Sequence, residues 1–248
     1  MATVEVVDTA ASVGRRAAAL MVADITAAVR AHGDATWVAT GGATAGTAYG
    51  ALARAQTGGR AWDQLRILMG DERCVPPEHP DSNWGRLCAL LLDLPATGHA
   101  IPLRPLGELG PDRAADLYED AMRTLPTCAN GWPRLDHVWL GMGEDGHTLS
   151  LFPGHTATRT TGRLVVPVRA APKPPPDRVS MTFEALRGTA HCVILVAGTA
   201  KRDVLARAIA GDASLPVTVA AQTVEVAGGR VSWIVDTAAA ELLALPLR

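Results

Sequence analysis

Continuous apolar runs separated by helix-patterned segments dominate this chain and set its fold class. The runs lie in the strand-like segments 4–7, 36–39, 65–69, 136–140 (apolar from Val138), 164–168, 192–197 and 231–235. Between them, 10–31, 44–55, 83–92, 113–125 and 202–210 carry helical patterning. Strands that are apolar at nearly every position are buried on both faces, which is the habit of parallel sheets covered by helices. The expectation is an α/β fold, a mostly parallel sheet with helices on both faces. A length of 248 residues suits one large domain or two small ones. With 48% apolar residues a sizeable core can form. The proline-rich stretch 171–177 reads as a surface loop, because strand and helix alternate on both sides of it. Residues 1–248 are therefore expected to form a single domain.

The run 136–140 is the most informative, because it breaks into Gly141-Met-Gly-Glu-Asp-Gly-His147 and then Thr148. In open α/β sheets, chemistry sits at the carboxyl ends of the strands. His147 is the side chain here whose ordinary pKa lies near neutrality, so it can move a proton at physiological pH. Asp145 can orient it or share the proton traffic. Gly141, Gly143 and Gly146 also spell a G-x-G-x-x-G fingerprint. A dinucleotide site needs a helix opening at those glycines and an acid about 20 residues on. Pro153-Gly154 cuts the segment short, and no Asp or Glu lies between His147 and Pro176. The fingerprint is coincidental.

Three further strand ends carry chemistry. Thr40-Gly-Gly-Ala-Thr44 follows the run 36–39. Gly41 and Gly42 allow close backbone approach, the next helix offers free N–H groups, and Thr44 adds a hydroxyl. This is a candidate anion cradle, with Thr44 as a simple helix N-cap the alternative. Gly70-Asp-Glu-Arg-Cys-Val75 follows 65–69. Charges next to a core are costly unless they pair or bind something, so Asp71 and Arg73 are candidates for either. Asn83 can bond a polyhydroxylated ligand, while Ser82 is equally a helix N-cap. Arg178, after the proline loop, and Lys201, at a helix start, could hold an anion or be solvated charges.

Composition removes other classes. Net charge is −2 with no basic cluster, which argues against a nucleic-acid partner. Four scattered cysteines without a C-x-x-C fit a reducing, cytoplasmic setting and no zinc cluster. The spacing of Asp145, His147 and His155 fits no standard metal set, so no metal is expected there. The N-terminus lacks a basic stretch and is not expected to be a signal peptide. No apolar stretch approaches 18 residues, so no membrane span is expected. Oligomeric state is left at monomer or weak dimer.

In order and spacing, Gly41-Gly-Ala-Thr44, Asp71-Glu-Arg73, Ser82-Asn83, the motif 140–153, Arg178-Val-Ser-Met-Thr182 and Gly198-Thr-Ala-Lys201 resemble the 6-phosphogluconolactonase family. The wider superfamily includes glucosamine-6-phosphate deaminase. The resemblance covers nearly the whole chain. It implies a Rossmann-like sheet, no metal or organic cofactor, and a phosphorylated sugar lactone as small-molecule partner. The implied reaction is hydrolysis of 6-phospho-D-glucono-1,5-lactone in the oxidative pentose phosphate pathway. Gly42, Thr44, Arg178 and Lys201 would hold the phosphate, and Asp71 and Arg73 would line the sugar site. His147 would be the general base, with Arg73 or a glycine N–H of the turn 141–146 stabilising the oxyanion. Ala43, Ala45 and Leu149 depart from the family pattern. The rival deaminase pattern has a tyrosine after its Asp-Glu pair and a glutamate five residues after its histidine, where this chain has Arg73 and Phe152. A non-catalytic sugar-phosphate sensor is a second rival, for which this chain lacks a DNA-binding segment.

Overall fold

A computed structural model describes residues 2–55, 61–93 and 100–243. Seven strands form one sheet in the order β1 (Thr3–Val7), β10 (Arg230–Asp236), β9 (His191–Val196), β6 (His137–Gly141), β2 (Ala35–Ala39), β3 (Leu65–Met69) and β5 (Ile101–Leu103). Every neighbouring pair is parallel. β5 is an edge strand, the position where its Pro102 costs no ladder bond.

Side chains along each strand alternate between two cores. Trp37 and Ala39 face one side with α1 (Ala10–His32), α2 (Ala43–Arg54) and α3 (Asn83–Leu87). Val38 faces the other, with α4 (Pro111–Arg123), α5 (Arg202–Ile209), α6 (Pro216–Val226) and α7 (Thr237–Ala240). Both layers are well covered: Trp37, Trp139, Leu68 and Leu140 are fully buried. Each such side chain is worth about 1.5–3 kcal/mol over exposure. Helices therefore cover both faces of the parallel sheet, as the apolar runs require.

The chain runs outward from β2 through β3 to β5, and outward from β6 through β9 to β10. The order reverses between β2 and β6, so their carboxyl ends splay apart and leave a crevice. The loops after Ala39 and Gly141 meet there.

Three expectations need correction. The charged segment 70–75, expected as the end of a strand, holds a strand of its own: Asp71–Arg73 forms β4, pairing antiparallel with β8 (Arg178–Met181). The apolar run 164–168 forms β7 (Val165–Val168) beside β8, outside the parallel sheet. This second, three-stranded sheet lies over the α4 face, and charged residues in β4 hide its strand pattern. The helix expected over 83–92 is α-helical to Leu87, with a π-helical turn at Cys88–Leu92.

Candidate active site

The crevice between β2 and β6 opens into a cleft of about 390 Å³. One wall is the start of α2. Its N-cap is Gly42, with φ of 94° and no side chain to cap the helix. Thr44 is thus not the cap; it stands on the first turn. The N–H groups of Ala43, Thr44 and Ala45 precede the first intrahelical bond, from Gly46 to Gly42, and line the cleft. With the positive end of the helix dipole they form an anion site.

The opposite wall is the turn after β6. Gly143 N–H donates to His147 O at 2.8 Å and Gly146 N–H to Gly143 O at 3.0 Å, which closes the turn tightly. His147 Nδ1 bonds the carboxylate of Asp145. Both side chains lie over the bare Cα of Gly143, where a Cβ would overlap Nδ1 and Oδ1. Burial raises the Asp145 carboxyl, but hydrogen bonding and charge from His147 outweigh it and carry it below the ordinary carboxylate range. The carboxylate therefore stays ionised, holds the proton on Nδ1 and leaves Nε2 as the basic nitrogen. The His147 ring stacks on Phe152, with centroids 4.5 Å apart. Just after it, Leu149 holds φ of 55°, a left-handed conformation that costs a branched residue about 1–3 kcal/mol.

The floor is a buried polar network. Ser150 Oγ donates to Asp71 Oδ2 at 2.6 Å, and Asn83 Nδ2 to Asp71 O at 3.1 Å. Glu72 is structural. Its carboxylate accepts from Asn83 N–H (2.8 Å), Trp84 N–H (2.7 Å), Arg73 N–H (2.7 Å) and Ser82 Oγ (3.1 Å). It caps α3 and so positions Asn83. Burial raises its carboxyl pKa, while the amide hydrogen bonds lower it in part.

Four cations line the cleft: Arg73, Lys173, Arg178 and Lys201. Lys173 and Lys201 are the chain's two lysines. Lys201 Nζ donates to Met142 O at 2.5 Å. Burial lowers its ammonium below the ordinary lysine value, with Lys173 pushing the same way and Glu144 and Asp145 opposing. Arg178 is 4% exposed and already engaged. Its Nε donates to Pro175 O (2.9 Å) and its Nη2 to Lys173 O (2.8 Å) and Pro174 O (3.2 Å). The guanidinium sits over the Phe152 ring, 5.4 Å from the centroid. Arg178 thus anchors the proline loop and presents Lys173 to the cleft. Arg73 donates through Nη1 to Asp81 O, while its Nε is buried without a partner.

Of the sequence candidates, Gly41, Gly42, Thr44, Asp71, Arg73, Asn83, His147, Arg178 and Lys201 all line this cleft. Asp145 stands behind His147, off the cleft wall. Sequence reasoning missed Ser150, within the recognised motif but not singled out, and Lys173, whose loop read as plain surface. The rarity of lysine was the available signal.

A family model described as glucosamine-6-phosphate isomerases/6-phosphogluconolactonase matches residues 8–233. The chain belongs to that family. Among its relatives is a 6-phosphogluconolactonase of Mycobacterium leprae. It is 35% identical, covering 87% of this chain and 90% of its own. A 6-phosphogluconolactonase of Streptomyces coelicolor is 34% identical over 92% and 89%. The solved structure of 6-phosphogluconolactonase from Trypanosoma brucei superposes with a TM-score of 0.82 at 25% identity, covering 98% of this chain and 99% of that one. Among the described residues of this family member, no helix is long and apolar enough to cross a membrane.

Proposed function

We propose that this chain hydrolyses 6-phospho-D-glucono-1,5-lactone to 6-phospho-D-gluconate, in the oxidative pentose phosphate pathway. The observation that carries the reading is one cleft lined both by His147, held by Asp145, and by a helix N-terminus with two lysines. The first is a positioned base; the second is a seat for a phosphate.

The phosphate is held by the N–H groups of Ala43, Thr44 and Ala45, with Lys201 and Lys173 as point charges. Arg178 contributes through the loop that it anchors. Asp71 and Asn83 bond the sugar hydroxyls. His147 Nε2 takes a proton from a water as its oxygen bonds the lactone carbonyl carbon. The carbonyl electrons move to oxygen, giving a tetrahedral oxyanion. When this collapses, the bond to the ring oxygen breaks and that oxygen takes the proton from His147. One water is consumed, the ring opens, and the histidine returns to its starting state.

Gly143 and Gly146 have spent their N–H groups inside the turn. That favours Arg73, whose side chain lines the cleft, as the stabiliser of the oxyanion. A lactone carbonyl is electrophilic already, so a base worth about 10²–10⁴-fold and one oriented cation suffice. None of these steps calls on a metal or an organic cofactor. We place the reaction in the cytosol, a setting that suits four unbridged cysteines.

Amino-sugar deamination is the weaker reading. It needs an extra carboxylate near the histidine, and the corresponding position holds Phe152, which contacts both His147 and Arg178. The test follows lactone disappearance against its spontaneous hydrolysis, and ammonia release from glucosamine 6-phosphate in parallel. Catalysed lactone loss without ammonia is expected. Ammonia release rivalling lactone hydrolysis would overturn the proposal.

A further inference from the structure

The amino ends of β6, β9 and β10 lie at the far end of the sheet from the cleft, and a second polar cluster is built there. His137 opens β6 and His191 opens β9; Asp24 reaches them from α1. His137 is fully buried and His191 is 2% exposed, while Asp24 is partly open to solvent. Both Nδ1 atoms converge on one carboxylate oxygen: Asp24 Oδ2 is 2.7 Å from His137 and 2.6 Å from His191. All three donor atoms lie within 4.8 Å of one another. Nothing in the proposed hydrolysis uses them.

We propose that Asp24, His137 and His191 form a binding site for a divalent transition metal of the zinc type, separate from the cleft. Two imidazoles and one carboxylate are a donor set that such ions favour, with a fourth position left for water. Metal–ligand bonds of about 2.0–2.2 Å in tetrahedral array put donors about 3.3 Å apart. The two present Oδ2–Nδ1 separations need to widen by about 0.7 Å, which follows once the shared protons are replaced by the ion. His191 already has the outer hydrogen bond that fixes a metallated ring: its Nε2 lies 2.9 Å from Ser232 Oγ, which in turn meets Thr3 Oγ1 at 3.1 Å. With metal on Nδ1, the ring proton moves to Nε2 and Ser232 accepts it. His137 has no such partner, its Nε2 being buried and unpaired. The charges facing the site are the Asp24 carboxylate and the Arg230 guanidinium. Arg230 lies 3.1 Å from Asp24 Oδ1 and 3.4 Å from His191 Nδ1, and its side chain is 69% exposed. An exposed pair of this kind contributes little and yields readily to a stronger cation. The ion would join α1 to two central strands, which gives it a structural role.

The test uses full-length protein stripped with EDTA and titrated with ZnCl2, followed by calorimetry and thermal unfolding, with Co²⁺ as an optical probe. We expect one Zn²⁺ per chain and a Tm rise of about 5 °C or more at saturating metal. Bound Co²⁺ should show the visible absorption of a tetrahedral nitrogen–oxygen site. His191→Gln should weaken binding at least 100-fold, and His147→Ala should leave it unchanged. Core substitutions at this end risk unfolding, so the exposed Arg230→Ala is the second variant. By removing the competing cation it should tighten Zn²⁺ binding several-fold. No stoichiometric binding up to millimolar Zn²⁺, binding undiminished by His191→Gln, or affinity not increased by Arg230→Ala would overturn the proposal.

Discussion

His147 and Asp145 are joined through Nδ1 and a carboxylate oxygen directly above the Cα of Gly143. The catalytic pair thus occupies the volume that a side chain at residue 143 would fill. The orientation of the base is set by an absent methyl group as much as by the hydrogen bond.

Gly143→Ala therefore displaces the pair while the sheet stays intact. We expect kcat to fall at least 10-fold with far-ultraviolet circular dichroism unchanged. Activity within twofold of wild type would show that the turn can shift without moving the base.

Asp145→Asn removes the charge that holds the proton on Nδ1. Turnover should fall about 100-fold or more. The pH dependence of stability follows from the lowered carboxyl. Unfolded, it titrates near 3.9; folded, it titrates below that. The native state thus binds fewer protons in that window, and the stabilisation is complete above about pH 4 and lost as pH falls through the folded pKa. The stability difference between wild type and Asp145→Asn should narrow as pH falls below about 4. Asp145 is partly exposed, so that difference should not exceed about 1 kcal/mol. A difference that grows below pH 4 would contradict the assignment.

Glu72→Ala strands three backbone N–H groups and the Ser82 hydroxyl. Urea unfolding should show a loss of about 2–4 kcal/mol. Because Asn83 loses its anchor, KM should rise as well. A loss below 1 kcal/mol would mean that α3 is capped in some other way.

Much of this was legible before any coordinates. Each parallel strand announces itself because burial on both faces demands an unbroken apolar run. His147 stood out because glycines and an acid surround it at a strand end. The smaller sheet was hidden, since β4 is Asp71-Glu-Arg73 and its pattern is set by the cleft and the α3 cap. Helix α6 went unread because its valines and threonines, Val217, Thr218 and Val219 among them, look like strand residues until tertiary packing decides. Arg178 was legible as a cation. Its bonds to the carbonyls of Lys173, Pro174 and Pro175 depend on how the proline loop folds back, which residue spacing does not encode.

Lys173→Ala tests that folded-back loop. Its side chain is about half exposed, so the loss should be modest. We expect KM to rise about threefold to tenfold with kcat nearly unchanged. An unaltered KM would remove Lys173 from the phosphate seat and leave Lys201 there.

The most direct measurement is steady-state lactone hydrolysis by His147→Ala, corrected for the spontaneous reaction. If Nε2 of His147 activates the water, kcat falls about 100-fold or more while KM changes less than threefold. Turnover within a few-fold of wild type would contradict general-base catalysis by His147.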